Sequence, residues 1–254
     1  MKPSDRAQCQ LGLNDYISDY LTAPCTQMNQ LPDARQYAPA TLRNRNPILK
    51  ALLPVLPPTG SVLEVSSGTG EHAVFFAPLI HPLLWIPSDP NPQSRASIAA
   101  WRAHCPSDNL YPPIALDACD PIWPVERDRP PAPLQNWDSE RYPIMAIVNI
   151  NMIHISPWSA CLGLIAGASR ILPVGGILYL YGPFKQGSKP TAPSNQAFDQ
   201  SLRARNPEWG LRDLDQVEAV ARSKNLALVK TIPMPANNLS VVFKYWGAKG
   251  VLPR

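Results

Sequence analysis

The 254 residues carry 23 Lys and Arg against 19 Asp and Glu, a formal charge of +4, with 17 % charged and 45 % hydrophobic residues. Such a chain has ample apolar material for a core, and its slight basic excess, without any Lys/Arg block, argues against a nucleic-acid track or a polybasic membrane patch. Five scattered cysteines, never in C-x-x-C spacing, argue against a disulfide framework or a zinc knuckle, and 31 prolines announce many stiff connections.

Residues 1–34 show little periodicity and no apolar stretch of signal-peptide length, so they read as an N-terminal arm before a domain over 35–254. Pro47 predicts the start of a helix through PILKALLPVL, because a first-turn proline gives up no hydrogen bond there. From Ser61 short apolar runs alternate with helical patterns, the signature of βαβ units. Strands are expected at 61–65, 83–88, 110–116, 144–150 and 176–182, with helices at 71–80, 93–104 and 158–171. The proline-rich stretch 120–143 has no period and reads as an inserted, solvated loop. Helices follow at 194–205 and 213–224, with Ser194 as a good N-cap, and then LALVKTI, the turn segment PMPANN and LSVVFKYW form an antiparallel pair. The expected fold class is α/β, a doubly wound and mostly parallel sheet closed by an antiparallel strand.

Between Tyr142 and Ser169 there is no Asp, Glu, Lys or Arg, long enough by count to span a bilayer. Asn149, Asn151, His154, Ser156, Pro157 and Ser159 would bring polar groups and helix breaks into hydrocarbon. The segment therefore reads as strand, turn and buried helix, and the chain as soluble and cytoplasmic, with no membrane partner. The seven tryptophans form no stripe with interleaved cations and read as core or loop anchors, without nucleic acid as a partner.

The strongest motif is VLEVSSGTGEHA at 62–73, an apolar strand running through Ser66 into Gly68 and Gly70 and then a helix. Glycine belongs where backbone turns sharply and approaches a ligand, and the carboxyl end of a first strand is the expected ligand site of an open α/β sheet. Gly68 to Ala73 also matches G-x-G-x-x-A, so a nicotinamide dinucleotide competes with S-adenosylmethionine for this turn. Glu64 favours the sulfonium cofactor, since a carboxylate suits its ammonium and repels a pyrophosphate. Asp89, ending the second strand, suits ribose hydroxyls in either class, and Asp117, ending the third, stands where an adenine amino group could bind.

With these residues in place, the chain resembles the class I S-adenosylmethionine-dependent methyltransferases and, more narrowly, the methyltransferase-like protein 26 family, filed as a domain of unknown function. The resemblance runs through YAPATLRNRNPIL, VLEVSSGTGEHAVFFA, SDPN, NINMIHISPW, LYGPFK, SNQAFDQSLRARNPEWGLRD and MPANNLSVVF, most of residues 37–246. It implies a seven-stranded, Rossmann-like methyltransferase sheet with an antiparallel last strand and S-adenosylmethionine as ligand. The family's usual first loop glycine is Ser66 here.

Methyl transfer from a sulfonium is an in-line displacement that needs alignment, exclusion of water and no metal. His154, just beyond the fourth strand, is the candidate base or substrate-orienting residue, and a structural histidine bonded to a loop carbonyl is its alternative. Tyr181, ending the fifth strand, is the second catalytic candidate. Asn149 is placed with the cofactor, as is Arg43, which could meet the cofactor carboxylate. Tyr37, Asn151, Asn195, Asp199, Arg212, Asn237 and Asn238 are grouped as substrate-pocket candidates, each alternatively a cap, turn or surface residue. The expected activity is methyl transfer to a small-molecule oxygen, nitrogen or sulfur nucleophile. An NAD(P)-dependent oxidoreductase and a non-catalytic cofactor-binding scaffold are the rival readings.

Overall fold

Four apolar runs form the parallel strands β1 (Ser61–Val65), β2 (Leu84–Ser88), β3 (Ile144–Ile150) and β4 (Ile177–Gly182). They are buried nearly throughout, which explains runs that read as continuously apolar instead of alternating. The computed structural model describes residues 33–247; most of the expected N-terminal arm lies outside the described residues. Two short strands, β5 (Phe184–Lys185) and β6 (Arg212–Asp213), pair in parallel apart from the main sheet. The described chain ends in β7 (Leu226–Met234) and β8 (Asn238–Tyr245), joined by a turn in which Ala236 and Asn237 adopt positive φ. The main sheet has the order β2-β1-β3-β4-β8-β7, with β8 antiparallel to both neighbours.

Among the described residues the sheet thus has six strands where seven were expected. Residues 110–116 run along the outer edge of β2 but touch it only through the bridges Trp85 to Leu110 and Ser88 to Ile114. Pro112 and Pro113 lie between those bridges and have no N–H to donate, so the ladder cannot continue.

Six helices among the described residues flank the sheet: α1 (Pro39–Leu52), α2 (Glu71–Phe76), α3 (Pro92–His104), α4 (Trp158–Ile171), α5 (Pro193–Arg205) and α6 (Leu214–Ser223). α1 begins eight residues before the expected Pro47. Pro39 takes the first-turn position, and Pro47 sits inside the helix. Ser194 does not cap α5, which starts at Pro193.

Alternate strand residues feed two separate cores. On one face Leu63, Ile86, Ile147, Leu178 and Phe243 meet Leu164 and Ala168 of α4 and Val217 and Ala221 of α6. On the other, Val62, Trp85, Val148, Tyr179 and Val242 meet Ile48 and Leu52 of α1 and Ala73 and Phe76 of α2. The 120–143 connection is long, as expected, but it is not merely solvated: Trp123, Leu134 and Trp137 are buried in the first core. Trp123 lies flush on α4, where a Cβ on Gly167 would come within 2.2 Å of the indole. No helix among the described residues is long and apolar enough to cross a membrane.

Candidate functional site

The candidate residues gather at the carboxyl ends of β1 to β4. β1 leaves the sheet at Ser66, whose φ of 60° is a left-handed value that glycine adopts more cheaply. The loop is then pinned from both sides. Ser67 N–H donates to Ser88 O (2.8 Å), Ser88 N–H to Ser67 Oγ (3.1 Å), and Gly68 N–H to Asp89 Oδ2 (3.0 Å). The two glycines do different work. A Cβ on Gly70 would fall 2.8 Å from Ile98 Cα, so Gly70 lets α3 close on the loop, whereas a Cβ on Gly68 would meet nothing within 4 Å. Gly68 therefore faces open space where a ligand can lie against backbone.

The three strand-end acids are not equivalent. Glu64 is fully buried, with Oε2 accepting the Trp85 indole N–H at 3.0 Å. Burial pushes its carboxyl up to about 7, against the Trp85 and Ser67 hydrogen bonds and with help from the charge of Asp89. Asp89 is buried beside the loop, and besides Gly68 it accepts the Asn91 N–H at 2.9 Å. Asp117 is exposed, and its Oδ1 accepts the Cys119 N–H of its own turn at 2.8 Å. Glu64 and Asp89 thus flank the glycine loop, while Asp117 caps a surface turn beyond the Ile114 bridge.

The segment before α1 packs beside this loop. Gln36 N–H donates to Ser97 Oγ and Ser97 Oγ–H to Thr69 O, while Ala38 N–H donates to Glu71 Oε2 at 2.6 Å. Tyr37 is 63 % exposed, its ring edge-on to Trp101 at 5.1 Å, and Arg43 is exposed on α1. Glu71 and Ser97 escaped the sequence reasoning. The only signal for Glu71 was its position directly after Gly70, and none marked Ser97.

The end of β3 holds unsatisfied polar atoms. Asn149 is buried, its Nδ2–H donating to Val65 O at 2.9 Å while Oδ1 has no hydrogen-bond partner. Asn151 takes φ of 64° and turns the chain, its N–H donating to Tyr181 O at 2.8 Å. His154 follows, 1 % exposed, with neither ring nitrogen hydrogen-bonded. Its ring stands edge-on to Phe184 at 5.0 Å and so close to Gly182 that a Cβ there would lie 2.4 Å from Nε2. Burial, reinforced by Arg212 and opposed by Asp199, pushes the imidazole down to about 3, so it is neutral at physiological pH.

Arg212 and Asp199 build the support of this loop. Arg212 donates to the carbonyls of Ile153 (2.8 Å), Ser156 and Glu208, and Gly210 N–H donates to His154 O at 2.9 Å. Asp199 accepts the Leu211 N–H and the Lys185 ammonium. Tyr181 goes elsewhere. Its ring packs in the core beside α1 and α2, with its hydroxyl toward the Asn44 side chain, whose Oδ1 pairs with His72 Nε2 at 2.8 Å. The structure therefore does not bring the Tyr181 hydroxyl together with His154. Asn195, Asn237 and Asn238 tie α5 to the β7–β8 turn: Asn195 Nδ2–H donates to Asn237 O, Asn237 Nδ2–H to Ser194 Oγ, and Asn238 Nδ2–H to Pro235 O.

The family model described as Protein of unknown function (DUF938) matches residues 35–245. Among solved structures, the chain is similar to an O-methyltransferase family protein from Burkholderia thailandensis (14 % identity, TM-score 0.63, 83 % of this chain and 58 % of that one). It is similar to an O-methyltransferase family 2 protein from Planctomyces limnophilus in complex with apigenin (18 %, 0.62, 81 % and 59 %). A third is human N-acetylserotonin methyltransferase in complex with S-adenosylmethionine (11 %, 0.63, 82 % and 53 %). At these identities the likeness shows a shared α/β fold, and the chain spans between half and three-fifths of the length of these structures.

Proposed function

This chain belongs to the family described as Protein of unknown function (DUF938), and we propose that it is a class I S-adenosylmethionine-dependent methyltransferase acting on a small-molecule nucleophile. The proposal includes the narrower kinship with the methyltransferase-like protein 26 family, the domain division at residue 34 and a cytoplasmic location. It takes neither nucleic acid nor membrane as a partner. The observation that carries it is the antiparallel β8 lying between β4 and β7. The dinucleotide-binding sheet, of order 3-2-1-4-5-6, is mostly parallel, and an antiparallel strand in a doubly wound sheet is usually at the edge, whereas β8 is an inner strand. Residues 110–116, bridged to β2 at two points, stand on this reading in place of the seventh strand of a doubly wound methyltransferase sheet.

The residues present fit this cofactor. Gly68 offers open backbone, and Asp89 keeps lone pairs for ribose hydroxyls after anchoring the loop. The unpaired Oδ1 of Asn149 is a buried acceptor at the strand ends. Such an acceptor costs about 1–3 kcal/mol while unsatisfied, and an ammonium donor recovers it. Ser66 shapes the turn, Glu64 lies buried behind it with its carboxyl raised to about 7, and the exposed Arg43 and Asp117 would meet the cofactor at its rim, with Tyr37 on the substrate side. S-adenosylmethionine supplies a methyl group activated on a sulfonium.

The protein's own task is alignment. His154, neutral and with both nitrogens unpaired, holds the acceptor by a hydrogen bond. With its pKa near 3 it orients more effectively than it accepts a proton, because a general base works best near the operating pH. Arg212 and Asp199 position the His154 loop, and Asn151 shapes its start. Tyr181, Asn195, Asn237 and Asn238 hold the surrounding frame. Isothermal calorimetry with S-adenosylmethionine and S-adenosylhomocysteine tests the reading, together with transfer of labelled methyl into the small-molecule fraction of a cell extract. Binding of both is expected, with labelling abolished in His154→Ala at unchanged cofactor affinity; heat for neither ligand refutes it.

A further inference from the structure

Beside the His154 loop, and sharing Arg212 with it, lies a concavity of about 330 Å³ lined by Trp158, Lys185, Arg203, Arg212, Asp213 and Gln216. Its volume suits a small metabolite. Three cations and one carboxylate line it, and that carboxylate, like Asp199 nearby, is already engaged. Asp199, beneath it, is shared between Lys185 at 2.8 Å and Arg203 at 3.4 Å and also accepts the Leu211 N–H. Asp213 caps α6 by accepting the Asp215 N–H at 3.0 Å. Arg212 has no carboxylate partner among the described residues; its hydrogen bonds go to three carbonyls, and its guanidinium stands 5.7 Å from the Trp158 ring.

The guanidinium is therefore held in place by neutral acceptors without a direct ion pair among the described residues, an arrangement with a cost that an incoming anion relieves. Burial lowers the pKa of Arg212, with the neighbouring Arg203 charge adding to the effect and Cys161 and Asp199 opposing it. The N-terminus of α4 begins at Trp158 with no side chain capping it, so its free N–H groups add positive potential to the same place. Trp158 itself offers a flat apolar wall.

We infer that this concavity is an oxyanion subsite, in which Arg212, Lys185 and Arg203 receive a carboxylate or phosphate group against the Trp158 ring. Resting on the methyltransferase reading, it names the acceptor class: a small anionic molecule whose charged end is held here while its nucleophile reaches toward His154. Arg212 links the two places, since it lines the concavity and hydrogen-bonds the carbonyls on either side of His154.

The test is calorimetry of the full chain at low salt with benzoate, inorganic phosphate and the neutral control benzamide, with S-adenosylhomocysteine titrated separately into each preparation. Benzoate or phosphate is expected to bind and benzamide not to. Binding is expected to weaken at least fivefold in Arg203→Gln, and to be lost in Gln216→Glu, which adds a carboxylate on α6 without touching the core. Tighter benzoate assigns a carboxylate carried on a flat ring, and tighter phosphate assigns a phosphate group; either supports the subsite. Anion binding unchanged in both variants, or no anion binding by a protein that binds S-adenosylhomocysteine, overturns the inference while leaving the methyltransferase reading intact. Variant-sensitive anion binding without any S-adenosylhomocysteine binding supports the subsite and overturns that reading.

Discussion

Replacing Glu64 by glutamine isolates the energetic cost of a buried carboxylate under the glycine loop. The carboxyl sits at about 7 in the folded chain against an ordinary 4.5, with burial as the main cause. A raised pKa means that the folded state binds more protons than the unfolded state between these two values. The Glu64 contribution is therefore fully present below pH 4.5 and lost as pH rises through 7. At about 1.4 kcal/mol per pH unit the loss is about 3 kcal/mol. For a domain of this size that corresponds to about 6–12 °C in melting temperature. Glutamine retains an oxygen to accept the Trp85 indole N–H but does not ionise. Comparing the thermal unfolding of both proteins at about pH 5 and about pH 8.5 cancels every other titrating group. The Glu64→Gln variant is expected to gain about 6–12 °C relative to the parent between the two pH values. A difference that stays constant across that range refutes the argument, because the carboxyl would then titrate as an ordinary surface acid.

Two further substitutions and one titration separate the remaining claims. Gly68→Ala places a methyl in open space at a left-handed φ, so it should cost about 1–2 kcal/mol of stability and weaken S-adenosylhomocysteine more than tenfold by calorimetry. Gly70→Ala should instead be read in the melting curve, at several kcal/mol, because its Cβ meets the α3 backbone at Ile98. His154 and His72 are held down to about 3 and about 4 by burial. Their ring proton signals should stay flat between about pH 8 and about pH 5, and a midpoint near 6.5 in either would contradict the burial argument. Both depressed values also make the fold lose stability as pH falls below about 6.5, where the unfolded chain takes up protons that the folded one refuses.

The strands that proved easy to read were those with uninterrupted apolar runs, β1 to β4, and the β7–β8 pair announced by PMPANN. The run at 110–116 has the same apolar character, yet it forms only bridges, because strand formation depends on donors and apolarity says nothing of donors. Pro39 and Pro47 were equal candidates under the first-turn rule, but only Pro39 takes that position, and Pro47 lies inside α1. Which of them opens α1 was settled by the contacts of Thr41 and Asn44 with the rest of the chain, both buried. Gly68, Asp89 and His154 could be placed from the sequence because each follows the carboxyl end of an apolar strand. The Tyr181 hydroxyl was not, since an end-of-strand residue can face either side of the sheet, and here it turns toward Asn44. Glu71, Ser97 and the Asn44–His72 pair were invisible for a related reason: each acquires its partner from an element at least 28 positions away.

Pro112 and Pro113 have a bearing on how this molecule avoids its own copies. The rim of a β-sheet is a row of idle hydrogen-bonding groups on which another chain can assemble, the first step toward fibrous deposits. Here that rim is occupied by a segment bonded inward to β2 yet interrupted by two consecutive residues without amide hydrogens. A newcomer would find a ladder with rungs missing, so the imperfection that shortens the sheet also discourages growth at the edge opposite β7.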